Sequence, residues 1–292
     1  MEFFFSCLIN GLLTGGVYSL LGLGIVLIYK STHIFNFAIG EMGVIGAFTV
    51  WSIMTYMQIP IWIAVLAGIA SGWLVGWAAE RFALRRLIGQ PIFSAIIATL
   101  ALGILLKGLT ITIWSANQVS FPTPIFPTET VNIWGINVSA TLASAFTVAI
   151  FCFITFVIFF RKSAMGLAMR GVAESHMVSE SLGVKVTTVF SLIWAIAGVV
   201  SVVGALCVAS RTSLQVHELP GMALRAFPGV LLGGLDSIPG VLVGCIAISI
   251  LENMSNAYIG VAYGDITPWL ILMIVLLVRP AGLWGIKRIE RI

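Results

Sequence analysis

Between Cys7 and Tyr29 there is not one charged side chain, and apolar runs of similar kind begin near Pro60, Phe93, Ala140, Val189 and Ile238. A run of about 20 apolar residues matches the thickness of bilayer hydrocarbon. Hydrophobic residues make up 60% of the 292-residue chain and charged residues 9%, with a mean hydropathy of +1.10. A soluble globular domain cannot carry that balance. The fold class expected is all-α: a polytopic membrane protein of about nine transmembrane helices, eight and ten also fitting the run lengths. One transmembrane domain over 1–292 leaves no room for a soluble second one. The start, MEFFFSCLIN, has no basic segment, so the first apolar run is expected to stay as a span and not to be a cleaved leader.

The formal net charge of +4 comes from Lys and Arg in short loops between apolar runs. That is topology information, and no nucleic-acid partner is expected. Arg81, Arg85 and Arg86 place the loop after the third span inside, and Arg161, Lys162, Arg170 and Lys185 do the same for a polar island at 161–185. Loops 57–60 and 114–139 lack Lys and Arg and fall outside, which puts the N-terminus outside as well. Lys287, Arg288 and Arg291 then have the wrong parity unless Met222 to Leu235, a stretch of marginal length containing Pro228, Gly229, Gly233 and Gly234, makes an extra crossing. A broken or re-entrant helix there is the alternative, and periodicity does not separate the two.

Ionisable groups at membrane depth cost several kcal/mol and persist mostly where a pathway or partner needs them. Asn36 with Glu41, and Arg225 with Asp236, lie in Gly- or Pro-interrupted segments, as do transporter sites built on broken helices near the midplane. Equally, Glu41 and Asp236 suit the N-terminal turns of helices, where a carboxylate complements the dipole. Glu252 and Asn253, at the end of a span, read as headgroup contacts. The 114–139 loop, with three prolines and several aromatics, reads either as a lid or docking surface or as an interfacial aromatic belt.

Signatures of catalysis are missing. No G-x-x-x-x-G-K-[ST] phosphate loop occurs, and His217-Glu218 is not followed by a second histidine one turn on. Cys7, Cys152, Cys207 and Cys245 form no C-x-x-C pair and read as packing residues. No metal site, cofactor or enzymatic activity is expected of this chain.

The island carries helix logic. Met165 to Leu182 contains no proline, and Gly183 stands where a C-terminal cap is needed. Such an amphipathic segment fits either the membrane surface or a groove on a cytoplasmic protein, and the methionines at 165, 169 and 177 suit an adaptable contact.

Four segments together, INGLLTGGVYSLLGLGIVLIYKSTHIFNFAIGEM, AAERFALRRLI, AMGLAMRGVAESHMVSESLGVKV and ALRAFPGVLLGGLDSIPGVLVGCIAISILEN, resemble the permease subunits of branched-chain amino acid type ABC importers, in order along essentially the whole chain. The resemblance implies a transport subunit of a bacterial or archaeal plasma membrane. It also implies a second permease, identical or homologous, two cytoplasmic ATPases that use the ATP, and an external substrate-binding protein. Carried onto this chain, 161–188 is the ATPase-coupling loop, with Arg170, Ala173, Glu174, Ser175 and Gly183 as its candidate residues. Asn36, Phe37, Ala38, Gly40 and Glu41 match an N-F-A-x-G-E motif, and Gly233, Gly234, Ser237, Pro239 and Gly240 match G-G-x-x-S-x-P-G. Asn36, Phe37, Gly40, Glu41, Arg225, Gly233, Gly234 and Asp236 are therefore the candidates for the translocation pathway. Three positions depart from the family pattern: Ile39 stands where His or Gln is common, Arg225 where lysine is expected, and Pro228 in a segment usually without proline. Urea or short amides are an alternative cargo. An ion-coupled secondary transporter using Glu41 and Asp236 is the alternative of a different class.

Overall fold

The structure, a computed structural model, describes residues 1–87, 90–133, 136–279 and 281–285. Its helices are α1 (Glu2–Thr32), α2 (Ile39–Tyr56), α3 (Ile61–Ala78), α4 (Ile92–Trp114), α5 (Ala140–Lys162), α6 (Ala164–Glu174), α7 (His176–Ser181), α8 (Val186–Ala209), α9 (Glu218–Gly233), α10 (Ile238–Tyr258) and α11 (Val261–Val278). One short antiparallel hairpin, β1 (Thr130–Ile133) and β2 (Ile136–Ser139), pairs Val131 with Val138 and sits in the loop before α5.

Among the described residues seven helices, α1, α3, α4, α5, α8, α10 and α11, are long and apolar enough to cross a membrane. Two further passes are made by α2, of 18 residues, and α9, of 16. Their ends show this. The last turn of α1 reaches the α9–α10 turn, where the Lys30 ammonium donates to the Asp236 carbonyl at 2.9 Å. Arg85, after α3, donates to Ser191 in the second turn of α8 at 2.7 Å. The segment after α11 returns to the same end of the bundle, Leu283 N–H donating to Leu232 O at 2.8 Å. Lys30, Arg81, Arg85, Arg86, Arg161, Lys162, Arg170, Lys185 and Arg279 thus share one face, which the clustering of positive charge marks as cytoplasmic. The opposite face carries the N-terminus and the 115–139 loop, tied down by an isolated bridge between Val119 and Leu214 and by Trp51 Nε1 donating to Ser120 O at 3.1 Å.

The doubtful crossing is therefore a crossing. α9 continues unbroken through Pro228, and residues 210–217 complete its path to the outer side. The expectation of a broken helix at 222–235 is corrected: it rested on Gly and Pro content, and tight helix packing is what uses these residues. Pro228 itself is buried in the bundle, a setting in which transmembrane helices tolerate proline. Lys287, Arg288 and Arg291, on which the parity argument turned, lie outside the described residues.

Helix α1 is the centre of the bundle. Its Gly11 and Gly15 face α10 closely enough that a Cβ added at Gly11 would stand 2.7 Å from Ile250 Cα; small residues at four-residue spacing let two backbones approach in lipid, where dispersion and not water exclusion holds helices together. On α3 the buried positions are Ala64, Gly68, Gly72 and Gly76; Gly68 meets Val50 and Gly46 of α2, and Gly72 and Gly76 meet Gly198, Val202 and Trp194 of α8. The opposite faces of α3, α4, α5 and α11 present exposed Trp62, Leu66, Ile104, Phe151, Ile158, Met273 and Leu277, the lipid-facing surface.

The island departs from its reading as one helix. Ser175 leaves the helical region at φ −158°, ψ 117°, ending α6 and starting α7, and its hydroxyl accepts from Val178 N–H at 3.3 Å. A serine offering a cap competes with helix continuation, so the segment bends there. Gly183 does stop α7: its φ is +84°, and the Val184 N–H reaches back to Ser179 O at 3.0 Å.

Candidate functional site

The irregular stretch inside this bundle is residues 33–38, between α1 and α2. It descends from the cytoplasmic end to the middle of the bundle, where Ala38 and Glu41 meet Gly103, half-way along α4. Unpaired backbone is costly at that depth, and several groups of the stretch find partners. His33 N–H donates to Tyr29 O at 2.8 Å, and Ile34 N–H to the Thr32 hydroxyl at 3.3 Å. The Thr99 hydroxyl of α4 shares its proton between Phe35 O and Ile96 O of its own helix, each at 2.9 Å. The Asn36 side chain, buried, accepts from Ala38 N–H at 3.0 Å, an Asx turn that leads the chain into α2. Thr99→Val removes the hydroxyl and keeps the shape. It is expected to leave the Phe35 carbonyl unpaired at a cost of about 1–3 kcal/mol, read as a lower melting temperature in detergent, whereas Thr99→Ser should restore it.

Within that frame Gly40 marks the crossing of α2 with α9, a Cβ there meeting Pro220 Cα at 2.6 Å. Phe37 joins Phe35 and Phe227 in an aromatic cluster with centroid separations of 5.7–6.4 Å. Glu41 lies beside Gly103 with Lys107, one α4 turn further on, as its charged neighbour, and its Oε2 is buried without a hydrogen-bond partner among the described residues. Ile39 is buried, packs on Gly24, and its carbonyl accepts from the Ser201 hydroxyl. Its departure from the family pattern is a packing change between α1, α2 and α8.

Arg225 does not pair with Asp236. Its guanidinium donates to Glu252 of α10 at 3.2 Å and to Asp265 of α11 at 2.8 Å, and Tyr18 of α1 donates to Glu252 at 3.4 Å. Asp236 sits in the cytoplasmic turn eleven residues further on; the α9 helix puts about 15 Å between the two along its axis. Glu252 is 3% exposed, so the reading of it as a headgroup contact is overturned. The Arg225 and Asp265 side chains are 38% and 53% exposed on a flank of α9 and α11. Gly233 and Gly234 build the α9–α10 turn: Gly234 has φ +101°, Trp284 N–H donates to Gly233 O at 3.2 Å, and Ser237 caps α10 by accepting from Gly240 N–H at 3.1 Å. Glu252, Asp265, Tyr18 and Lys107 were not among the pathway candidates; an inventory of every ionisable side chain inside an apolar run would have raised three of them.

On the cytoplasmic face Glu174 and Gly183 are exposed, Ala173 and Ser175 half-buried. Arg170 folds back onto the Phe160 carbonyl and its ring. Of the three methionines only Met177 is free for an outside contact, at 82% exposure; Met169 belongs to the core and Met165 packs on it. Leu167, Val178 and Leu182 are exposed beside Met177.

The sequence profile described as "Branched-chain amino acid transport system / permease component" matches residues 7–278. The chain belongs to that family of transport-system permeases. Among its relatives, the high-affinity branched-chain amino acid transport system permease protein LivH of Escherichia coli K12 is 28% identical, the match covering 99% of this chain and 98% of the relative. BraD of Pseudomonas aeruginosa is 26% identical over 98% of this chain and 97% of its own. A LivH-type protein of the archaeon Methanocaldococcus jannaschii is 23% identical, covering 94% and 90%. A chain of PsaBC from Streptococcus pneumoniae, solved in complex with a Fab, superposes with a TM-score of 0.47 at 15% identity over 97% of this chain and 94% of its own. The permease is thus a multi-pass transport subunit of an ABC importer, a class that works with ATPase and binding-protein partners.

Proposed function

We propose that this permease forms one half of the pathway by which branched-chain or chemically related amino acids cross the membrane, paired with a second permease, identical or homologous. Two cytoplasmic ATPases drive it from the α6–α7 face, and an external binding protein supplies the substrate. The observation that carries this reading is the Arg225–Glu252–Asp265 group. Charges exposed to the extent of Arg225 and Asp265 are not left against lipid at membrane depth, so the α9–α11 flank is covered by the second permease or by the aqueous route between the two. An amino-acid zwitterion, carrying one charge of each sign, is a cargo such a surface accommodates.

The exposed apolar residues Leu167, Met177, Val178 and Leu182, with Glu174 between the two helices, supply the docking surface for the ATPase. The test is ATP-driven uptake of leucine into proteoliposomes holding both permeases, the ATPases and the binding protein, with urea and acetamide as competing cargoes. Uptake of leucine that needs ATP and survives collapse of the proton gradient supports the reading. Uptake that follows the gradient and ignores ATP overturns it. In the same preparation Glu174→Lys is expected to abolish transport and ATPase binding while leaving membrane insertion intact.

A further inference from the structure

Met165, Met169 and Val172 seat the α6–α7 island on the core, and two polar side chains also tie it to the ends of the spans. One, Arg170, folds onto Phe160 at the end of α5. The other is His176, the first residue of α7. Its Nε2 lies 3.1 Å from the carbonyl of Ser31, one of the last-turn carbonyls of α1 that have no partner within their own helix. Its ring stacks on His33 at 6.3 Å between centroids and 22° between planes, and stands edge-on to Phe190 of α8 at 5.3 Å. The next residue, Met177, is the most exposed of the island's large apolar side chains.

His33 is where the irregular segment begins. Its φ is +56°, a left-handed conformation that a non-glycine residue holds only when its surroundings enforce it. From there contacts run without a gap. Tyr29 packs on Phe35 at 4.6 Å, and Phe35 and Phe37 both pack on Phe227 of α9, two residues from Arg225. A small cavity of about 70 Å³ lies beside the two imidazoles, between Thr32, Ile34 and Phe190.

We propose that His176 is the positioning residue that couples the cytoplasmic island to the pathway: displacement of α7 pulls on the Ser31 carbonyl and on His33, resets the 33–38 segment, and through the Phe35–Phe37–Phe227 cluster moves the part of α9 that carries Arg225. This rests on the reading that the ATPases dock on the α6–α7 face. The Nε2–H tautomer of His176 makes the bond to Ser31, so an amide side chain can replace it in part, whereas alanine cannot.

The test uses the complete importer in proteoliposomes and reads three quantities: ATPase retained on the permease, ATP hydrolysed, and leucine transported per ATP. For His176→Ala the ATPases are expected to stay bound and active while transport per ATP falls about tenfold, the size of a typical coupling between sites. His176→Gln, which keeps a donor for Ser31, should recover much of that loss, and Phe190→Leu, which disturbs only the packing, should stay coupled. In the double variant His33→Ala, His176→Ala the loss should be no larger than in either single one, since both break the same link. Transport per ATP unchanged in His176→Ala overturns the proposal. So does a loss in Phe190→Leu equal to that in His176→Ala, or losses at 33 and 176 that multiply. Should His176→Ala fail to assemble, His176→Leu, which fills the ring's space without a donor, decides: a tenfold loss that His176→Gln does not share supports the link, and equal coupling in the two overturns it. Wild-type permease that binds no ATPase would instead refute the docking on which the proposal stands.

Discussion

Arg225→Met is expected to lose about 3–5 kcal/mol of stability and all transport. The methionine fills the stem's volume but leaves Glu252, buried at 3% exposure, with the Tyr18 hydroxyl at 3.4 Å as its remaining partner among the described residues; removing one partner of a buried ion pair costs that much because the other charge stays desolvated. The loss should lie toward the lower end, since Arg225 itself is partly exposed. Adding Glu252→Leu removes the stranded carboxylate, and a pair replaced by apolar groups of similar volume is often as stable as the original. The double variant should therefore melt close to wild type in detergent yet remain unable to transport. This separates two roles that either single variant confounds. A double variant that transports normally would take these charges out of the route. One that is no more stable than Arg225→Met would show that the stranded charge is not the source of the loss.

Arg85→Ala is expected to cost about 3 kcal/mol by the same reasoning at the cytoplasmic end. Arg85 grips both oxygens of Glu80, Nε to Oε1 at 3.1 Å and Nη2 to Oε2 at 2.9 Å, and both residues reach Ser191 of α8. Glu80 is fully buried in a π-helical turn at the end of α3, so the arginine is what makes that carboxylate tolerable. Arg85→Lys should recover only part of the stability, because a single ammonium cannot bridge two carboxylate oxygens in the plane of a guanidinium fork. Melting of the purified variants checks this. A change within about 0.5 kcal/mol for Arg85→Ala, the scale of an exposed pair, would mean that α3 is held on α8 by packing such as that of Gly72 and Gly76 on Gly198 and Trp194 and not by this clamp. The E-R-F-A-L-R segment that contributes to the family resemblance is in this structure a clamp between two spans.

The contrast between the two ion pairs shows what a linear reading captures. Glu80 and Arg85 lie five residues apart, and a local motif brings them together. Arg225, Glu252 and Asp265 come from three helices, and nothing in the spacing of 225 and 236 says that Arg225 turns toward α10 and α11 and not along its own helix toward Asp236. A side chain's neighbours across a bundle depend on the rotation of each helix, and in lipid that rotation is set by close packing of small residues. Gly229 against Cys245 and Gly244 against the Gly233 backbone fix the rotation of α9 and α10 here. Glycines suggested a broken helix from the sequence for the same reason: the residue that allows a break also allows two straight helices to touch.

By itself the sequence determined the class of environment, the approximate spans, the orientation and the family. These follow from transfer free energy and from where Lys and Arg fall, quantities that add up along the chain whatever its partners. It also located the irregular segment around Asn36 and the glycine stop at Gly183, because local backbone chemistry is carried by a few adjacent residues. Only the tertiary structure decided that α9 crosses unbroken, that Ser175 bends the island, that Ile39 packs on α1, and that Glu252 and Asp265 are the partners of Arg225. Each of these outcomes depends on which helix faces which, and the spacing of residues along the chain is silent on that until the bundle has closed.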